Sequence, residues 1–217
     1  MKRFLFTYFF FYILCLSAQQ KLRIIFTGDI MVHGPQLKAA YRKNDTYDFS
    51  ENFIYVKNIF QQADWVIGNL ETTLGIKPYS GYPLFSSPPA LAEALKQAGF
   101  TLVVTANNHA LDKGLKGIKQ TIRVLDETGL LHTGTFLSLK EKNKLPYVVL
   151  EKNGFRIALM NFTYGINGQR KINNLPVNQI DTTYMKTQIR MAKKLQPDEI
   201  IVFLHWGKEY RDRKSVV

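Results

Sequence analysis

The sequence predicts an α/β protein, on three observations. Short β-branched runs alternate with amphipathic stretches from Leu22 onward, start and stop residues bracket several of those stretches, and polar residues gather where the apolar runs end. In chain order, Leu22–Phe26 (LRIIF) reads as a first strand, and Ser50 as the N-cap of a helix over Glu51–Gln62. Ala63–Gly68 (ADWVIG) is a second strand. Ser87-Pro88-Pro89 opens a helix that Gly99 closes, because proline suits the first helical turn and glycine the position past the last. Thr101–Thr105 (TLVVT) is a third strand, followed by a helix over Leu115–Thr128 that Gly129 ends. Tyr147–Glu151 and Phe155–Met160 flank Asn153-Gly154, a strong short hairpin signal. A basic amphipathic helix is expected over Thr182–Leu195 and a last strand over Glu199–Leu204. Thr72–Ser87 reads as one long irregular loop.

Residues 1–18 stand apart from this pattern. Lys2 and Arg3 precede an uncharged apolar run, Phe4–Leu16, and Leu16-Ser17-Ala18 offers small residues before Gln19. That order predicts a secretory signal peptide over residues 1–18 and an exported protein of the periplasm or cell surface. An uncleaved N-terminus would instead act as an anchor and bring membrane association. With 46% hydrophobic and 21% charged residues, the bulk of the chain has the composition of a folded domain and not of a disordered one. The single cysteine, Cys15, excludes an intrachain disulfide and a cysteine-based zinc site. A net charge of +12 suits anionic polymers or lipid head groups. No nucleic-acid partner is expected, since the Lys and Arg are scattered and form no basic run interleaved with aromatics.

The functional argument begins where the strands end. The first leads into Gly28-Asp29, the second into Asn69-Leu70-Glu71 and the third into Asn107-Asn108-His109. The hairpin leads into Asn161 and Tyr164, and the last strand into His205-Trp206-Gly207. In open α/β sheets the C-terminal strand edge is where ligands bind. Carboxylate, amide and imidazole donors suit Mn, Zn, Fe or Mg better than copper or an iron-sulfur cluster. Taken singly, each group also has an ordinary structural reading as turn, loop or satisfied core residue. His33 and His132 lack a strand-end partner and are read as structural.

The strings TGDIMVHG (Thr27–Gly34), ADWVIGNLETTL (Ala63–Leu74), TANNHALDKG (Thr105–Gly114), NFTYGING (Asn161–Gly168) and FLHWGKEY (Phe203–Tyr210) resemble, in order and spacing, the CapA family of poly-γ-glutamate capsule synthesis proteins. The resemblance spans about Leu22 to Tyr210 and extends to the calcineurin-like metallophosphoesterases. It implies a four-layer αββα sandwich, a divalent metal ion, and a role in making, anchoring or exporting an anionic polymer together with the capsule machinery. Carried over by motif, it implies Asp29, Glu71, Asn108 and His205 as metal ligands and His109 as a general acid or oxyanion stabiliser. Asp112 would orient the His109 imidazole, or else only cap the following helix. Met31 stands where the phosphoesterases usually place a histidine. Two further readings stay open: a metal-dependent hydrolase of phosphoester or γ-glutamyl amide bonds, and a non-catalytic polymer-binding component.

The resemblance also implies a continuation beyond the His205-Trp206-Gly207 motif, with further histidines. The expected organisation is therefore a signal peptide at 1–18, an incomplete, C-terminally truncated domain at 19–211 that is inactive as it stands, and a non-native tail at 212–217.

Overall fold

The computed structural model describes residues 20–167 and 174–207. The expected signal peptide with Cys15, Gly168 of the fourth string, Lys208–Tyr210 of the fifth and the expected tail at 212–217 lie outside the described residues. Among those described, the strands are β1 (Ile24–Ile30), β2 (Trp65–Leu70), β3 (Thr73–Leu74), β4 (Ser86–Ser87), β5 (Leu102–Val104), β6 (Leu131–Thr133), β7 (Val148–Lys152), β8 (Phe155–Thr163) and β9 (Glu199–His205). The α-helices are α1 (Gly34–Ala40), α2 (Ile54–Phe60), α3 (Ala90–Ala98), α4 (Gly114–Thr128), α5 (Leu139–Lys144) and α6 (Thr182–Lys193). None is long and apolar enough to cross a membrane.

Two sheets stack face to face. The first has the order β1-β2-β5-β6 and is parallel throughout; the second has the order β7-β8-β9, with β7 antiparallel and β9 parallel to β8. Side-chain alternation sorts the layers. Ile67, Leu102 and Val104 of the first sheet meet Leu150, Ile157 and Leu159 of the second. On its opposite face the first sheet turns Val66 and Val103 toward Phe60, Leu91, Leu95 and Leu125 of the helices. The second sheet turns Ala158, Met160 and Phe162 toward Ala192, Met185 and Ile189 of α6. Helices, sheet, sheet and helix form the four-layer αββα sandwich expected from the sequence.

Several elements differ from expectation in ways that matter for the cleft. The first strand does not stop at Phe26. It slips register between Phe26 and Asp29, then resumes with Asp29 opposite Asn69 and Ile30 opposite Leu70. Likewise β8 continues to Thr163 and β9 to His205, so the strands carry several of the polar residues themselves. The Glu51–Gln62 helix is split into a 3-10 turn over Ser50–Phe53 and α2, with Phe53 at φ −117° and ψ 0° between them; Asp48 Oδ1 takes the Ser50 amide at 2.9 Å, and Ser50 is not a cap. The hairpin turn is as expected, with Asn153 at φ 53° and Gly154 at φ 78°. The Thr72–Ser87 loop is not irregular throughout: β3 pairs with β4, and the Thr72 and Ser87 hydroxyls meet at 2.9 Å.

A buried amide ties the two sheets together at the edge that matters. Asn161 Oδ1 accepts from the Ala106 amide at 2.6 Å, and its Nδ2 donates to the carbonyls of Ala106 and Phe203, each at 3.3 Å. Gly134 packs against the same clamp at φ 112°, where an added Cβ would meet Asn161 Oδ1 and the Ala106 amide. Asn161→Ala leaves the Ala106 amide and two carbonyls without this partner. We expect it to lower unfolding free energy by about 2–3 kcal/mol, measured by chemical denaturation.

Candidate metal centre

The C-terminal ends of β1, β2, β5 and β9 converge on a cleft of about 430 Å³ whose lining includes Asp29, Met31, Glu71, His109 and His205. Asp29, Glu71 and His205 each offer one ligand atom within 4.8 Å of the others. His205 Nδ1 stands 3.9 Å from Asp29 Oδ1, and its Nε2 stands 3.8 Å from Glu71 Oε1. Asn108 Oδ1 joins the group at 2.6 Å from His205 Nε2. Oxygen and imidazole donors at this spacing fit a hard or borderline divalent ion.

Amides hold the donors in place. Asn69 Nδ2 donates to Asp29 Oδ1 at 2.8 Å and lies 3.2 Å from His205 Nδ1. Asn69 Oδ1 in turn accepts from Asn107 Nδ2 at 3.1 Å, and Asn107 also donates to the Leu70 carbonyl at 2.8 Å. An amide nitrogen only donates and an amide oxygen only accepts, which makes Nδ1 of His205 the acceptor and Nε2 the donor to Asn108. An ion held by both Nε2 and Asn108 Oδ1 would replace that proton and that hydrogen bond.

Glu71 and His109 are each only 4% exposed. His109 Nε2 lies 4.0 Å from Glu71 Oε1, so one oxygen of this buried carboxylate faces two imidazoles. An ionised carboxylate so far from water is stabilised by positive charge nearby, such as a divalent cation. Behind it, His109 Nδ1 is 2.7 Å from Asp112 Oδ2, and the same oxygen accepts the Phe85 amide at 2.7 Å. The N-cap of α4 is Lys113. Of the two roles open to Asp112, the geometry is that of a residue orienting His109. Asn167 Nδ2 reaches His109 Nε2 at 3.1 Å, and its backbone amide donates to the Asn108 carbonyl at 2.9 Å.

Three residues of this centre escape the sequence reading. Phe85 sits in the supposed loop, yet its ring packs edge-on against His109 with centroids 4.7 Å apart. Asn167 lies inside the fourth string but follows no strand directly. His33, read as structural, lines the cleft and packs edge-on against Phe85 at 5.0 Å. The short α1 begins at Gly34, directly behind it, and Gln36 Oε1 takes the His33 amide at 2.7 Å. His132 does behave structurally, pairing with Asp126 at 3.1 Å away from the cleft. Met31 is in the lining, at the position where the resemblance leads one to look for an imidazole.

Comparison with known proteins adds to this geometry. The family described as bacterial capsule synthesis protein PGA_cap matches residues 23–215. The chain is 29% identical over 207 residues to the capsule biosynthesis protein CapA of Bacillus anthracis, covering 90% of this chain and 49% of that protein. It is 32% identical over 193 residues to the PGA biosynthesis protein CapA of Bacillus subtilis (strain 168), covering 85% and 49%. The chain thus spans about half the length of these curated relatives. Among solved structures, the NAD nucleotidase NadN of Haemophilus influenzae aligns with a TM-score of 0.51 at 15% identity, over 87% of this chain and 34% of that one. That likeness concerns the fold alone.

Proposed function

This chain belongs to the bacterial capsule synthesis protein family PGA_cap, and on that premise we propose that it acts at the cell envelope in making, anchoring or exporting an anionic capsule polymer of the poly-γ-glutamate type. The work is assigned to the cleft, where Asp29, Glu71, Asn108 and His205 would hold a divalent cation. The observation that carries this is the convergence of Asp29, Glu71 and His205 ligand atoms within 4.8 Å. It is reinforced by amides that clamp Asp29 and His205 from behind. A bound ion would supply Lewis acidity for cleavage of a phosphoester or amide bond.

The chain's own residues divide the remaining tasks. Asp112 fixes Nδ1 of His109 as a donor, which leaves Nε2, the nitrogen facing Glu71, as the acceptor of the Asn167 amide in the neutral ring and as the atom that takes up and gives away a proton in catalysis. Protonated there, His109 is a general acid for a leaving group or a donor to developing negative charge. Asn167 limits rotation of the same ring. Hydrolysis is favoured over a purely binding role by this buried His109–Asp112 pair, whose side chains are 5% and 3% exposed. A binding module has no need of an imidazole oriented at such a desolvation cost.

The test is turnover on a panel of phosphoesters and γ-glutamyl amides, with and without a chelator, by the chain joined to the C-terminal continuation that the resemblance implies, because the chain alone is expected to be inactive. Hydrolysis of one class, lost on chelation and restored by divalent metal, is the expected result. Metal-loaded protein inert toward the whole panel would instead support the non-catalytic, polymer-binding role.

A further inference from the structure

We propose that the exposed face of α6 is a binding track for a linear polycarboxylate, separate from the cleft and leading toward it. Lys186, Arg190, Lys193 and Lys194 are all exposed, and with 3.6 residues per turn they fall within an arc of about 100° on the helix and its C-cap. The opposite side packs Met185, Ile189 and Ala192 onto the second sheet, so the contacts that fix the helix also hold these cations outward. None of the four forms an ion pair with a described residue. The acids that flank them are engaged: Asp181 Oδ1 accepts the Tyr184 amide and Asp198 Oδ2 the Arg156 amide, each at 2.7 Å. The sequence outside the described residues holds two side-chain carboxylates, Glu209 and Asp212, against eight Lys and Arg, which is too few to neutralise the row.

What accompanies the cations decides the kind of polyanion. A helix that lies on a membrane inserts large apolar side chains beside its charges, and those of α6 are turned to the sheet. Nucleic-acid strands are held by stacking as well as by charge, yet the one aromatic residue of α6, Tyr184, is half-buried with Lys142 Nζ 5.0 Å from its ring centroid. A flexible polycarboxylate needs only a row of cations to lie along. From Lys186 the helix rises about 6 Å to Arg190 and about 12 Å to Lys194. An extended γ-glutamyl chain, with five backbone bonds per residue, carries a carboxylate about every 6 Å. The row also has a direction. Just before α6, the Ile180 amide donates to the Thr163 carbonyl at the end of β8, next to Tyr164 of the cleft. Just after it, the Leu195 carbonyl accepts from Arg156 Nη1 at the start of β8. The cations therefore run from the cleft side of the sandwich toward its far end. The inference rests on the polymer class proposed above and adds a site that holds the chain away from the metal centre.

Titrating the full chain with a fluorescently labelled γ-glutamate oligomer should give saturable binding by anisotropy that weakens as salt is raised. The combined variant Lys186→Gln, Arg190→Gln, Lys193→Gln, Lys194→Gln should bind about tenfold more weakly, and the same four changes to Glu about a hundredfold more weakly. Changing Lys116, Lys119, Lys140 and Lys144 to Glu instead, at exposed positions of α4 and α5, alters the net charge by the same amount and should cost less than about threefold. Unchanged affinity in the glutamine variant, or an equal loss in the α4 and α5 variant, would overturn the track. So would tighter binding of anionic phospholipid vesicles or of an oligonucleotide through the same four residues. Metal content read on the same samples separates the two sites. Metal-loaded protein that does not bind the oligomer would overturn the track and leave the metal centre standing. Oligomer binding that is lost in the glutamine variant, by protein that takes up no metal, would support the track and sink the metal centre.

Discussion

In the chain joined to the C-terminal continuation that the resemblance implies, His109→Ala is expected to lower hydrolytic turnover by about 10²–10⁴-fold while leaving bound metal close to the wild-type level. The separation of effects follows from where the ring sits. His205 and Asn108 touch at 2.6 Å inside the donor cluster, whereas His109 Nε2 is 4.0 Å from the Glu71 oxygen and its Nδ1 is engaged by Asp112. The substitution removes the proton donor and keeps the donor cluster. It also takes one partner from the buried Asp112, although the Phe85 amide still donates to that carboxylate. Asp112→Asn is the companion variant, since it keeps the shape and the buried site but withdraws the charge that stabilises a protonated imidazole. It should cost turnover about 10–100-fold. Turnover intact in both variants would remove this pair from the chemistry.

The second large effect is expected at the opposite side of the cluster. His205→Ala should weaken divalent-metal affinity by about a hundredfold or more, and Asn108→Ala by about tenfold, read as metal content after dialysis against a buffered metal series. His205 stands between Asp29 and Glu71, at 3.9 and 3.8 Å, and no other imidazole among the described residues reaches both carboxylates at such distances. Its loss leaves two carboxylates and an amide around the space the ring occupied. Unchanged content in both variants would mean that the cluster is a hydrogen-bonded polar core and not an ion site.

Much of this arrangement is legible in the sequence because its signals are local. Gly99 and Gly129 end α3 and α4 in left-handed conformations, at φ 112° and 71°. Short apolar, β-branched runs mark the longer strands, and β1, β2, β5 and β9 lead into polar residues at their C-terminal ends. What escapes is short or depends on distant partners. The six residues of α5 include four charged ones and bury none, so no apolar stripe announces the helix. Three residues of β6, one of them His132, are too few to show a period. Seven residues opening with Gly34-Pro35 hide α1, and with it the placement of His33. Phe85 reaches His109 only because β3 and β4 close the intervening loop, through pairing of Thr73 with Ser86 and Leu74 with Ser87. The continuation of β1 to Ile30 has the same origin: Asp29 is drawn into the strand by pairing with Asn69, forty residues away in sequence.

The central claim is that Asp29, Glu71, Asn108 and His205 together hold a divalent cation. The most direct test is anomalous scattering from crystals of the protein grown or soaked with Mn²⁺. The account predicts a peak in the anomalous map lying about 2.0–2.6 Å from a donor atom of each of these four side chains. A map with no peak in the cleft at saturating Mn²⁺, or with a peak bound by other residues, would contradict it.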